Sequence, residues 1–322
     1  MLVNGQGYLY ATKETKTLMF YGPYNTGTEK EIENLPQGFN LVGNPFITEA
    51  YVNKPYYTLN GDGSAILVEE QSMATPIPPC HGVIVELDGN ESVTFRTSAP
   101  TQQSANNGGL QITLSQIVNP VPSSRGETTK QPALDNAIVT FNEGSELGKF
   151  YFGEQNANIY LPQNGKEYAV AFSEGQGEMP LNFEAKENGT YTISVNPEGV
   201  DMQYLHLIDN MTGADIDLLQ TPTYTFTAKT NDYASRFRLI FAAQSSEAAE
   251  SADQAFAFNS NGDWIILNEG KATLQVIDLN GRILRSETIN GCVSKAINVA
   301  AGVYVLRLID GKEARTQKIL IP

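Results

Sequence analysis

The sequence predicts an all-β chain, a string of antiparallel β-sandwich modules of the immunoglobulin-like or jelly-roll-like kind. Three observations carry that expectation. Short runs of alternating apolar and polar residues recur along the chain, at the period of two that a half-buried strand requires. Between them stand turn dipeptides, notably Asn261-Gly262, Asn280-Gly281, Asn290-Gly291 and Asp310-Gly311, which tolerate the positive φ of a tight hairpin. The composition is low in charge, with 18% Asp, Glu, Lys and Arg, and rich in Gly (28) and Tyr (15), which suits strands better than helices.

Residues 1–98 form the first expected module, with strands at 7–12, 17–21, 39–42, 56–59, 65–69, 82–87 and 92–97. Residues 99–109 carry no apolar periodicity and read as a linker. A larger sandwich follows at 110–243. Its strands are expected at 110–117, 137–141, 150–152, 159–161, 168–172, 181–183, 190–195, 204–208, 224–227 and 236–241, with 119–132 as a long exposed loop. Alternation places Tyr191, Ile193 and Val195 on one face. It likewise turns Phe237, Leu239 and Phe241 inward and Arg236 and Arg238 outward. The acidic, Ala/Ser-rich residues 244–254 read as a second linker. The terminal module, 255–322, holds seven short strands at 255–258, 264–267, 271–278, 283–288, 294–299, 302–310 and 316–321, a spacing that argues for a small sandwich.

Charge and cysteine usage narrow the partners. Thirty-six acidic residues against 21 basic ones give a formal net charge of −15, whose field repels phosphate backbones and anionic lipid surfaces. Nucleic acid is therefore excluded as an expected partner. No stretch approaches the ~20 apolar residues of a transmembrane helix, and the first residues lack a secretory signal's basic and apolar regions. The chain thus reads as the C-terminal portion of something longer. Cys80 and Cys292 fall in different modules, and no disulfide between them is expected.

Candidates for chemistry are few. There are two histidines. His81 follows Cys80 directly, and neighbours on a strand point to opposite faces, which argues against a thiolate–imidazolium pair. His206 sits on the strand face opposite Leu205 and Leu207 and has no evident metal-ligand partners. There is no Cys-x-x-Cys, no His-Glu-x-x-His, no phosphate loop and no Gly-x-Ser-x-Gly elbow. Asp209, Asp215 and Asp217 flank a turn and are weak candidates for Ca²⁺, since clustered hard oxygens hold that ion, though turns attract Asp in any case. Glu69, Glu70, Glu143, Glu146 and Glu154 supply carboxylates for a glycosidase, but nothing pairs them across the 5 to 9.5 Å such chemistry needs, about that range in either geometry. Tyr21, Tyr24, Tyr51, Tyr56 and Tyr57, with Phe150, Tyr151, Phe152 and Tyr160, could build a glycan-binding face if exposed. Packing in the core is the commoner fate.

Three blocks near the C-terminus carry a resemblance: Leu274-Gln-Val-Ile-Asp278-Leu-Asn-Gly281-Arg282, then Gly302-Val-Tyr304-Val-Leu-Arg307, then Lys318-Ile-Leu-Ile321. In this order they resemble the C-terminal sorting domain of proteins exported through the type IX secretion system of Bacteroidota. Such domains often open on a Pro-Asn-Pro-like turn; here Phe258-Asn-Ser-Asn-Gly262 stands instead. The stretch Gly38-Phe-Asn-Leu-Val-Gly43-Asn-Pro-Phe46 is similar to a strand-and-turn motif of secreted proteins of the same bacteria. The resemblance implies that Asp278, Gly281, Arg282, Gly302, Tyr304, Arg307 and Lys318 are sorting-motif residues. It also implies secretion and anchoring machinery as partner, with an extracellular or outer-membrane-surface location.

The expected protein is thus non-catalytic and free of cofactors. Its last module serves export or anchoring, and its first two serve spacing or adhesion to a protein or glycan. The alternative is a carbohydrate-binding accessory to an upstream secreted enzyme.

Overall fold

The computed structural model describes residues 2–14, 16–19, 21–59, 66–69, 75–99, 108–117, 133–151, 156–244, 255–311 and 313–322. Among them there is no helix, and the strands form several sheets, antiparallel but for one pair. The predicted loop 119–132 and most of both predicted linkers lie outside the described residues.

The first module contains β1 (Glu29–Leu35), β2 (Gly38–Gly43), β3 (Tyr51–Val52), β4 (Tyr56–Leu59), β5 (Ile66–Glu69), β6 (Gly82–Leu87) and β7 (Glu91–Arg96). They make two sheets, β1-β7-β3 and β2-β6-β4-β5, which close on Val42, Phe46, Val52, Tyr56, Val83, Val85, Val93 and Phe95. The predicted strands at 7–12 and 17–21 do not form: the described residues there carry no ladder, and Gln6 makes one bridge to Val42. Propensity had no buried face to act on, since Leu9, Tyr10, Met19 and Tyr21 are all exposed. Conversely β1 escapes prediction because its residues read Glu-Lys-Glu-Ile-Glu-Asn-Leu. It is an edge strand with only Ile32 and Leu35 leaning on the core, and charged edges are how sheets discourage further pairing.

The second module contains β8 (Gly109–Gln116), β9 (Ala133–Thr140), β10 (Leu147–Gly148), β11 (Ala157–Gln163), β12 (Lys166–Phe172), β13 (Gln176–Ala185), β14 (Gly189–Glu198), β15 (Met202–Asp209), β16 (Ala214–Asp217), β17 (Thr223–Ala228) and β18 (Phe237–Ala243). They lie in one hydrogen-bonded series, β16-β15-β18-β13-β11-β12-β9-β8-β14-β17, with β10 alongside β12. The series wraps onto itself through β11. Residues Ala157 to Tyr160 pair with β13, whereas Leu161 to Gln163 pair with β12, so one strand belongs to both layers. Asn164 and Gly165 make the β11–β12 turn, both with positive φ, as a two-residue hairpin of this hand demands. The one parallel pair is β9 with β12.

Between the layers Leu110, Ile112, Ile193, Phe183, Leu205, Phe237 and Phe241 interdigitate. The predicted inward faces of 190–195 and 236–241 are as expected. Arg236 is a correction: it is 2% exposed rather than outward. It immediately precedes β18 and turns under the sheet onto Asp209, itself fully buried at the end of β15. Phe150-Tyr151 is not strand but follows the short β10, and Gly109 belongs to β8 rather than to a linker.

The terminal module contains β19 (Ala257–Ser260), β20 (Asp263–Ile266), β21 (Lys271–Asp278), β22 (Ile283–Asn290), β23 (Val293–Ala296), β24 (Gly302–Asp310) and β25 (Glu313–Ile321). Each of the seven expected strands forms. They make sheets β19-β20-β23 and β22-β21-β24-β25 around Phe256, Trp264, Ile266, Leu274, Val276, Tyr304, Leu306, Leu308 and Ile319.

Candidate functional site

The residues expected to matter in the terminal module divide into a turn, a core group and an outer face. The turn follows β21. Asp278 Oδ1 accepts the amides of Asn280 and Arg282, both at 2.9 Å, and Oδ2 accepts Arg282 Nε at 2.8 Å. Gly281, at φ +80°, closes the loop by donating its amide to the Asp278 carbonyl. These donors, the Arg282 backbone amide foremost, hold the Asp278 carboxyl below its usual range. A side chain that satisfies its own turn needs no ligand to order it. Arg282 and Leu279 stand well exposed beside it.

Tyr304 points the other way. Its ring is in the core at 8% exposure and its hydroxyl donates to the Ala300 carbonyl at 2.8 Å, which fixes the entry to β24. Gly302, at φ +158°, lies against the same ring. Both motif positions pack at the start of β24.

Arg307 and Lys318 share the outer face, because both alternate with core positions on their strands. Lys318 is registered opposite Val305, and Arg307 opposite Gln275 and Thr316. The same face carries Ile277 opposite Ile283 and Val303 opposite Leu320. Ile283 is 52% exposed and Leu320 67%. The result is an apolar strip edged by cations and adjoining the Asp278–Arg282 turn. Sequence reasoning missed Ile277, Ile283, Val303 and Leu320. The signal was present, since the stretch from Val303 to Ile309 is apolar at nearly both parities while only one parity fills the core.

Elsewhere the candidate groups do not converge. Asp209 binds Arg236 in a bidentate pair at 2.8 and 3.1 Å and also accepts from Tyr224 Oη and the Met211 amide. Burial pushes its carboxyl up, but the Arg236 and Met211 bonds outweigh this and hold it below the usual value. The Arg236 guanidinium also lies 4.6 Å over the Phe226 ring, a cation–π contact. Asp215 instead contacts His206 Nδ1 at 2.6 Å, and Asp217 accepts from Gln220 and the Leu219 amide. Among the described residues no three His, Cys, Asp or Glu side chains gather as a cation site.

His206 stacks on Tyr204 with ring centres 4.2 Å apart. The two border an open cleft of about 390 Å³ that also touches Asp217, Glu269 and Cys292. Cys292 is half-buried, and burial pushes its thiol up, away from the reactive thiolate. Cys80 is not on a strand: it occupies a turn at φ +62°, just before β6, and both cysteines are free. Of the aromatic candidates for a glycan face, Tyr56, Tyr57 and Tyr160 are buried, while Tyr21, Tyr24 and Tyr151 are exposed. Burial and Glu184 push the Tyr160 hydroxyl up to about 12. Glu143 and Glu146 are exposed; Glu70, Phe152 and Glu154 lie outside the described residues.

Comparison with known families assigns the terminal module. Residues 258–322 match the secretion system C-terminal sorting domain, the tail of proteins exported by the type IX system. The match begins at β19 and spans both sheets described above. No curated protein matches the chain.

Proposed function

We propose that this chain is the non-catalytic C-terminal part of a larger surface-attached or secreted Bacteroidota protein. Its last module is the export address, and its first two are a rigid spacer or adhesive stalk. The sorting-domain match on a folded, self-contained sandwich carries the reading; export, and recognition by secretion machinery, follow directly from that match. In this reading the strip of exposed Ile283 and Leu320 with half-buried Ile277 and Val303, flanked by Arg282, Arg307 and Lys318, is what the machinery meets, because it is an apolar surface the module leaves partly uncovered.

The test is export by a host with the type IX apparatus. The whole chain behind a secretory signal is expected at the cell surface or in the medium. The same chain lacking residues 255–322 is expected to stay in the periplasm; its normal display defeats the proposal. The carbohydrate-binding alternative rests on exposed Tyr21, Tyr24 and Tyr151, flat rings of the kind that stack on sugars. Glycan-array binding that is lost in the Tyr21→Ala, Tyr24→Ala and Tyr151→Ala triple variant supports it.

A further inference from the structure

The terminal module is not held only by the chain that leads into it. On β20, Trp264 and Ile266 enter the module's own core, so Ile265, and Leu267 just beyond, face away from it. On β15 and β18, Leu205, Leu207, Leu239 and Phe241 fill the second module, leaving Tyr204, Ile240 and Ala242 on the outer side. These two outward sets bury one another: Tyr204, Ile240, Ala242, Ile265 and Leu267 are each at most 5% exposed. Polar contacts flank the apolar patch. Glu178 of β13 accepts from Arg238 at 3.1 Å and from the Ser260 hydroxyl of the terminal module. Cys292 Sγ lies 3.5 Å from the Gln203 carbonyl.

We propose that the outer face of β15 and β18 is a docking site whose occupant is the terminal module itself, and that the two remain associated when the connection between them is severed. Apolar side chains this buried keep their contact without a covalent link, because the driving force is the area removed from water. The consequence for export is that the address and its passenger travel as one body, with the terminal module's free side alone on offer to a partner. This inference does not depend on the export reading, and its test does not involve secretion.

The experiment replaces residues 246–252 in the full chain with a site for a sequence-specific protease, cleaves the folded protein, and passes it through gel filtration at micromolar concentration. The expected result is co-elution of both fragments at the position of uncut protein. Separation of the fragments overturns the proposal. Ile265→Asp in the same cleavable chain is expected to release the terminal fragment; fragments that stay together show that the patch is not what binds them and equally overturn it. Trp264, the single tryptophan, reports through its emission whether that variant's terminal module is folded. If it is not, Ile240→Asp, which leaves the terminal module's sequence untouched, decides between release and retention. A thiol reagent supplies a second readout: uncut protein is expected to react quickly at Cys80 alone, and the cleaved Ile265→Asp protein, with its fragments apart, at Cys292 as well.

Discussion

At the scale of single residues, two ion pairs of similar geometry do opposite work. Arg236 and Asp209 are 2% and 0% exposed, so each has given up its water for the other, and removing one partner strands a buried charge. Arg236→Met is expected to lower stability in urea by about 3–5 kcal/mol. The pH dependence fixes the sign. Asp209 is held below its unfolded value of roughly 3.9, so its contribution is present above that pH and is lost as pH falls through the lower folded value. In the Arg236→Met protein the Arg236 bonds that lower the carboxyl are gone while the Met211 amide bond remains, so burial weighs more heavily and the deficit relative to the parent is expected to shrink toward acid. Denaturation midpoints between neutral pH and pH 3 check this. Arg282 with Asp278 is the contrast: the guanidinium is exposed and the carboxylate already takes two backbone amides. Arg282→Ala should leave the midpoint nearly unchanged, which makes it a clean probe of recognition.

At the scale of elements, the alternation of Lys271 to Asp278 and the dipeptides Asn261-Gly262 and Asp310-Gly311 made the seven strands of the terminal sandwich legible. There one face is buried and the turns use residues that accept positive φ. Legibility failed where that simple situation failed. Charged β1 hid among acidic residues, and the aromatic-rich residues near the start looked like strands with nothing to pack against. The inward turn of Arg236 needed a partner 27 residues away. The surfaces between modules were invisible because Ile138, Ile240 and Ile265 sit at the parity that alternation assigns to solvent. Gly109 marks another such limit. A side chain there would meet the Val139 carbonyl oxygen at 2.6 Å, backbone that cannot step aside. Gly109→Ala is expected to cost about 1–3 kcal/mol by overpacking and to speed hydrogen exchange in β9. Gly213→Ala, at φ +74° in open space, should cost about 1–2 kcal/mol through the backbone alone, without disturbing its neighbours. Thermal denaturation and amide exchange separate the two.

At the scale of the whole molecule, the modules are joined through buried seams. The first seam packs Tyr57, Val68 and Ile84 on Ile138, Leu147, Ala169 and Val170. Its polar bonds are backbone-directed. Asn136 accepts the Val68 amide at 2.7 Å and donates to the Val68 carbonyl at 2.8 Å, so one side chain stands in for a neighbouring strand at the edge of β5. Tyr57 Oη donates to the Gly148 carbonyl, and Glu86 accepts the Gly148 amide at 2.7 Å. Asn136→Leu keeps the side chain's branching and heavy-atom count but strips both bonds from Val68, which is fully buried. The expected cost is about 1–3 kcal/mol for each group left unmet. Calorimetry should then resolve separate melting of the first two modules, where the parent is expected to melt both together; a single unbroken transition in the variant would refute the coupling.

The divided pairing of β11 reaches beyond geometry. Because its first residues are committed to one layer and its last to the other, neither half of that sandwich has a stable existence while the other is open. The domain is therefore expected to form in a single concerted event, with no half-built stage on which to pause.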